Sequence, residues 1–167
     1  MMYYIGQAMG ILATIGCFVN PLFKKKWQML VTTMLVNALL ALNLILIGQV
    51  TSAVFLNAVA VVQTIISLWH VQKDKPVTIA ENVIFFILYV GCGILGYKSA
   101  LDLLVIVGAV FNMVAAFERD EQKTRYLLLV NVSLFFIYYL VLGSTSMFAE
   151  LLAICTTIIG IFKYRKK

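Results

Sequence analysis

Apolar residues run along this chain in blocks of about 20, the length that carries a helix across the hydrocarbon core of a bilayer. Short polar or charged stretches separate the blocks. The pattern predicts seven spans: Met2–Asn20, Trp27–Ile47, Val50–His70, Thr78–Gly96, Ala100–Phe117, Tyr126–Leu142 and Thr145–Phe162. Gly48 and Gly143 each end a span before a short polar turn, Gln49–Ser52 and Ser144–Ser146, as glycine ends helices. Pro21 and Pro76 fall near span ends, where they disturb a helix least.

The basic residues test this count. With the N-terminus outside, the inner segments hold Lys24, Lys25 and Lys26; Lys73 and Lys75; Arg119, Lys123 and Arg125; and Lys163, Arg165, Lys166 and Lys167. Only Lys98 is left outside. Six spans would destroy this asymmetry, so the positive-inside rule selects seven, with the C-terminus cytoplasmic. Tyr3, Tyr4 and Tyr97 then mark an outer aromatic belt, and Trp27, Trp69, Tyr126 and Tyr164 an inner one. The first apolar run starts at once and its lysines follow it, which suits an uncleaved first helix.

Composition agrees. Hydrophobic residues make up 63% of the chain and charged residues 12%, about half the charged share of a soluble domain. The net charge of +6 sits in clusters between apolar runs, as topology signals do, so no nucleic-acid partner is expected. Cys17, Cys92 and Cys155 all lie in apolar runs without a CxxC pair and read as small hydrophobes.

Two stretches correspond. "FLNAVAVVQTIIS" (Phe55 to Ser67) and "FAELLAICTTIIG" (Phe148 to Gly160) share Phe, Ala, Thr and the Ile-Ile pair at matching positions. Each is the third helix of a trio, follows a glycine turn and ends in a basic segment. The chain therefore reads as an all-α polytopic membrane protein of 3+1+3 design. Residues 1–75 form the first three-helix repeat, 76–98 an inverting linker helix and 99–167 the second repeat. An odd linker lets both trios enter the membrane in the same sense, which makes the repeats parallel.

From Phe23 to Ser67 the sequence reads "FKKKWQMLVTTMLVNALLALNLILIGQVTSAVFLNAVAVVQTIIS". Its basic run, its helix with spaced polar residues, the glycine turn with Thr51 and the Asn-bearing third helix resemble the YgjV-type bacterial inner-membrane proteins. The resemblance implies a distant relation to the PQ-loop/SWEET-like transporters and a multi-pass protein of the bacterial cytoplasmic (inner) membrane. It also implies substrate contacts at one polar residue on each of helices 3 and 7, here Asn57 and Glu150. No Pro-Gln pair occurs in helix 1 or helix 5, so sugar is not implied as the substrate.

Polar side chains in a bilayer usually face protein or a water-filled cavity. Asn57, Ala60, Thr64 and Ser67 lie on one stripe of helix 3, and Glu150, Ala153, Thr157 and Gly160 on the same stripe of helix 7. One reading is a central substrate site in which Asn57 and Glu150 face each other, with Thr64 and Thr157 nearer the cytoplasm. The other is helix packing through small and hydrogen-bonding residues. Gln63 lies off the stripe and is expected to bond to a neighbouring helix. Asn131 and Tyr138 share a face of helix 6 and either line the cavity or bond between helices. Asn112, deep in helix 5, has the same two readings. A charged carboxylate is costly within hydrocarbon, so Glu150 is the candidate for proton coupling. Glu81 is expected at the cytoplasmic interface and Asp102 at the outer one. The block "ERDEQKTR", Glu118 to Arg125, reads as a solvated loop.

His70 has no partners at metal-ligand spacing, and no nucleophile–His–acid set or phosphate loop occurs. No catalytic residue, metal or cofactor is expected, and the chain does not read as an enzyme. The expected function is a transporter or facilitator for an unknown small polar solute, working by alternating access between the two triple-helix bundles in contact with the lipid bilayer. The alternative is a non-transporting membrane scaffold, sensor or subunit.

Overall fold

A computed structural model describes residues 2–46, 52–95, 97, 99–141 and 146–165. Among these, seven α-helices follow one another: α1 (Met2–Val19), α2 (Lys26–Leu46), α3 (Ser52–Lys73), α4 (Ile79–Leu95), α5 (Asp102–Phe117), α6 (Glu121–Val141) and α7 (Ser146–Lys163). A 3-10 turn, Asn20–Leu22, follows α1. No strand occurs among the described residues. The stretches Tyr4–Leu22, Lys26–Leu46, Val54–Lys73 and Glu121–Val141 are long and apolar enough to cross a membrane, whereas α4 and α5 are shorter apolar helices. The turns at Gly48 and Gly143, and Lys98, Lys166 and Lys167, lie outside the described residues.

Local chemistry sets the helix ends. Thr78 and Glu81 form a capping box at the start of α4. The Thr78 amide donates to Glu81 Oε2 at 2.7 Å, and the Glu81 amide donates to Thr78 Oγ1 at 3.2 Å. Asp102 accepts from the Ser99 amide at 2.7 Å before α5. At the end of α3, Asp74 takes φ 51°, and the Lys75 amide reaches back to the His70 carbonyl at 3.0 Å. That is the six-to-one closure of a Schellman end.

Asp120 corrects one expectation. Its Oδ1 accepts from the amides of Gln122 at 2.7 Å and Lys123 at 3.1 Å, which caps α6 at Glu121. The second half of "ERDEQKTR" is therefore the first turn of a helix rather than a solvated loop, and Thr124 and Arg125 are buried.

Each helix packs on its neighbours in sequence. The most extensive contacts are α1 with α2, α2 with α3, α5 with α6, and α6 with α7. Helix α4 touches α3 and α5 more lightly. Thinner contacts, of α7 with α1 and with the Asn20–Leu22 turn and of α3 with α5, close the assembly. Asn43 on α2 donates to the Gly6 carbonyl on α1 at 2.7 Å, and Asn131 on α6 donates to the Gly108 carbonyl on α5 at 2.8 Å. Such bonds join helices where no hydrophobic drive separates protein from lipid.

One buried cluster joins Ala60 on α3, Phe85 and Tyr89 on α4, and Ala109, Met113 and Phe117 on α5. The outer surface is apolar. Ile84, Ile87 and Ile94 on α4, Ile11 and Ile15 on α1, and Leu152, Ile159 and Phe162 on α7 are exposed. A helical assembly with so many exposed large apolar side chains suits a lipid solvent.

Candidate functional site

The stripes on α3 and α7 are buried alike. Asn57 and Glu150 are half-buried; Ala60, Thr64 and Ser67, and Ala153, Thr157 and Gly160, are buried. Thr64 donates to the Ala60 carbonyl at 2.6 Å and Thr157 to the Ala153 carbonyl at 2.7 Å. Both hydroxyls are thus satisfied within their own helix, by the back-bond that Ser and Thr make to the preceding turn. Ser67 does the same to the Gln63 carbonyl at 2.9 Å.

The stripes meet different neighbours. On α3, Ala60 joins the cluster shared with α4 and α5. On α7, a Cβ at Gly160 would lie 2.5 Å from the Pro21 carbonyl oxygen and 3.4 Å from Arg125 Cδ. Glu150 lies within electrostatic reach of Cys17 on α1 and Tyr139 on α6. Asn57 sits on a helix flanked by α2, α4 and α5, and it is not free of partners. Among the described residues, no extended contact joins α3 to α7.

Two further candidates come together on α6. Asn131 bonds to Gly108, and Tyr138 Oη donates to Asp102 Oδ1 at 3.3 Å, so both tie α6 to α5. Gln63 bridges three helices: its amide donates to the Met113 carbonyl at 2.8 Å, and its oxygen accepts from Tyr89 Oη at 2.9 Å. A buried glutamine with both ends engaged is a fixed joint.

The densest polar network lies at the basic end, where sequence reasoning saw only topology signals. Lys26 is 5% exposed. Its ammonium donates to the Ala115 carbonyl at 2.6 Å and Thr124 Oγ1 at 2.8 Å, which pins the start of α2 to α5 and α6. Arg125 is fully buried. Its Nε donates to the Pro21 carbonyl at 3.0 Å, one terminal nitrogen to the Phe23 carbonyl at 2.6 Å, and the other to Gln122 Oε1 at 3.1 Å. The guanidinium carbon lies 4.6 Å from the Tyr164 ring centroid, and Tyr164 Oη donates to the Leu22 carbonyl at 2.8 Å. The chain leaves α1 through Asn20–Leu22, so the carbonyls of Pro21, Leu22 and Phe23 need partners from elsewhere. A planar guanidinium and a phenol supply them. One clue lay in the sequence: Asp120, read as an N-cap, would have placed Arg125 inside a helix.

Lys26 also lines a small recess with Asn20, Thr33, Asn112 and Thr124. At the end of α3, His70 Nε2 lies 2.9 Å from Glu81 Oε1, and its Nδ1 lies 3.2 Å from the Lys75 carbonyl. This ties α3 to the start of α4. Among the described residues, no three His, Cys, Asp or Glu side chains gather as a metal site requires.

Comparison with curated proteins and with solved structures returns no match. The family model described as bacterial inner membrane protein, Imp-YgjV, matches residues 4–167. With its apolar helices and lipid-suited surface, this multi-pass chain belongs to the Imp-YgjV family of bacterial inner membrane proteins.

Proposed function

We propose that the protein moves a small polar solute across the inner membrane by motion of two three-helix halves, α1–α3 and α5–α7, against each other. The observation that carries this reading is the position of the polar stripes. They lie along the contacts between the halves, where α3 meets α5 and α7 approaches the turn after α1. Those contacts are thinner than the packing within either half.

The halves correspond element by element, which supports a parallel repeat. The α1–α2 and α2–α3 packings match α5–α6 and α6–α7, and the α1–α7 contact matches α5–α3. The bonds from Asn43 to Gly6 and from Asn131 to Gly108 both join a middle helix to the first of its trio. The Thr64 and Thr157 back-bonds are a second matched pair. In this reading the network of Lys26, Arg125 and Tyr164 is the closed state of the basic end. Asn57 and Glu150 line the path, and Glu150 exchanges a proton with it.

A non-transporting scaffold is the rival. It is favoured by Thr64 and Thr157, which are 1% and 0% exposed and already satisfied. The test is thermal unfolding of purified protein against a panel of small polar solutes, repeated on Asn57→Ala. Transport predicts that at least one solute raises the wild-type melting temperature, with the rise reduced in the variant. If no solute shifts the wild type, the scaffold reading stands instead. In proteoliposomes with that solute, Glu150→Gln should flatten the pH dependence of uptake; an unchanged profile removes the proton step.

A further inference from the structure

We infer that the recess at the basic end is a binding site for one hydroxyl group, held between the Lys26 ammonium and the Asn20 carboxamide oxygen. Asn20 is 9% exposed, and its Oδ1 is buried without a hydrogen-bond partner. The amide orientation is fixed by its neighbour. Asn20 Nδ2 donates to Thr33 Oγ1 at 2.8 Å, and Thr33 Oγ1 commits its own hydrogen to the Met29 carbonyl at 2.9 Å. Flipping the amide would set Oδ1 against an oxygen with no hydrogen left to give.

Lys26 has three N–H groups and uses two of them. The third makes no bond among the described residues. Glu118 and Glu121 lie within electrostatic reach of Lys26 but form no ion pair with it there. Asn112 lines the same recess. One recess is thus lined by a lysine with a donor to spare and by an asparagine with an orphan acceptor.

That combination selects the ligand. A metal cation offers no acceptor to the third N–H of Lys26. A carboxylate or halide offers no hydrogen to Asn20 Oδ1. A hydroxyl accepts from the ammonium and donates to the carboxamide oxygen, and so satisfies both groups. The free space is that of about one water-sized group. The recess is lined from both halves, by Asn20 and Lys26 on one side and Asn112 and Thr124 on the other. Its occupant therefore bridges the contact between them, whether or not the protein transports. The hydroxyl comes either from water or from a small alcohol.

The test is an experimental structure of the wild-type protein at a resolution that reveals ordered water, determined in alcohol-free buffer and again with ethylene glycol. A density peak within about 3 Å of both Lys26 Nζ and Asn20 Oδ1 in the first structure supports the site with water as the occupant. A peak only in the second supports it with an alcohol as the occupant. An empty recess in both overturns the inference. Asn20→Ala should lose the peak, and a peak that stays at equal occupancy there also overturns it. Should that variant not fold, the two wild-type structures decide alone.

Discussion

At the scale of single residues, the account rests on side chains that close the basic end. Arg125 holds the carbonyls of Pro21 and Phe23, which have no place in a helix ladder. Arg125→Met leaves both without a donor, and each buried orphan costs about 1–3 kcal/mol. The variant should melt well below the wild type, and Arg125→Lys should recover only part of the loss, because one ammonium cannot reproduce the planar fork. Gly160 makes a second test. A Cβ there meets a backbone oxygen at 2.5 Å, whereas a Cβ at Gly91 meets nothing within 4 Å. Thermal unfolding should show Gly160→Ala destabilised by about 1–3 kcal/mol and Gly91→Ala within about 0.5 kcal/mol of wild type. These roles were hidden in the sequence because Lys26 and Arg125 sit in basic clusters. Charge clusters report topology equally well whether a given member faces water or is buried. Gln63 was legible, since an amide off the small-residue stripe has to find a partner on a neighbouring helix.

At the scale of elements, helix ends decide where each span stops. The capping box of Thr78 and Glu81 starts α4 and also presents Glu81 to His70. Thr78→Ala should cost about 1 kcal/mol, and hydrogen exchange should accelerate at the first amides of α4 but not in α2. Unchanged exchange there would mean that packing alone holds the end. The seven apolar blocks were readable to within a few residues because lipid imposes a length on each. The start of α6 was not. Five polar residues after Asp120 look like loop by hydropathy, and only the aspartate's capping geometry turns them into a helical turn. The stripe on α3 and α7 was legible as a buried face, because period and small size both mark it. Which neighbour each stripe meets was not, since that depends on how seven helices close on one another.

At the scale of the whole molecule, α1, α2 and α3 pack in series, as do α5, α6 and α7, and Lys26, Arg125 and Tyr164 bond across between these two groups of helices. In the proposed reading these two groups of helices are the halves that rock against each other. The most direct measurement is the distance distribution between spin labels at Lys24→Cys and Lys163→Cys, in a background lacking Cys17, Cys92 and Cys155, with the protein in lipid nanodiscs. Both positions are exposed at the basic end, one from each half. The account predicts two separations, with the longer one enriched by Arg125→Met and the balance shifted by any solute that stabilises the protein. A single narrow separation, unchanged by the variant and by every solute, would contradict it.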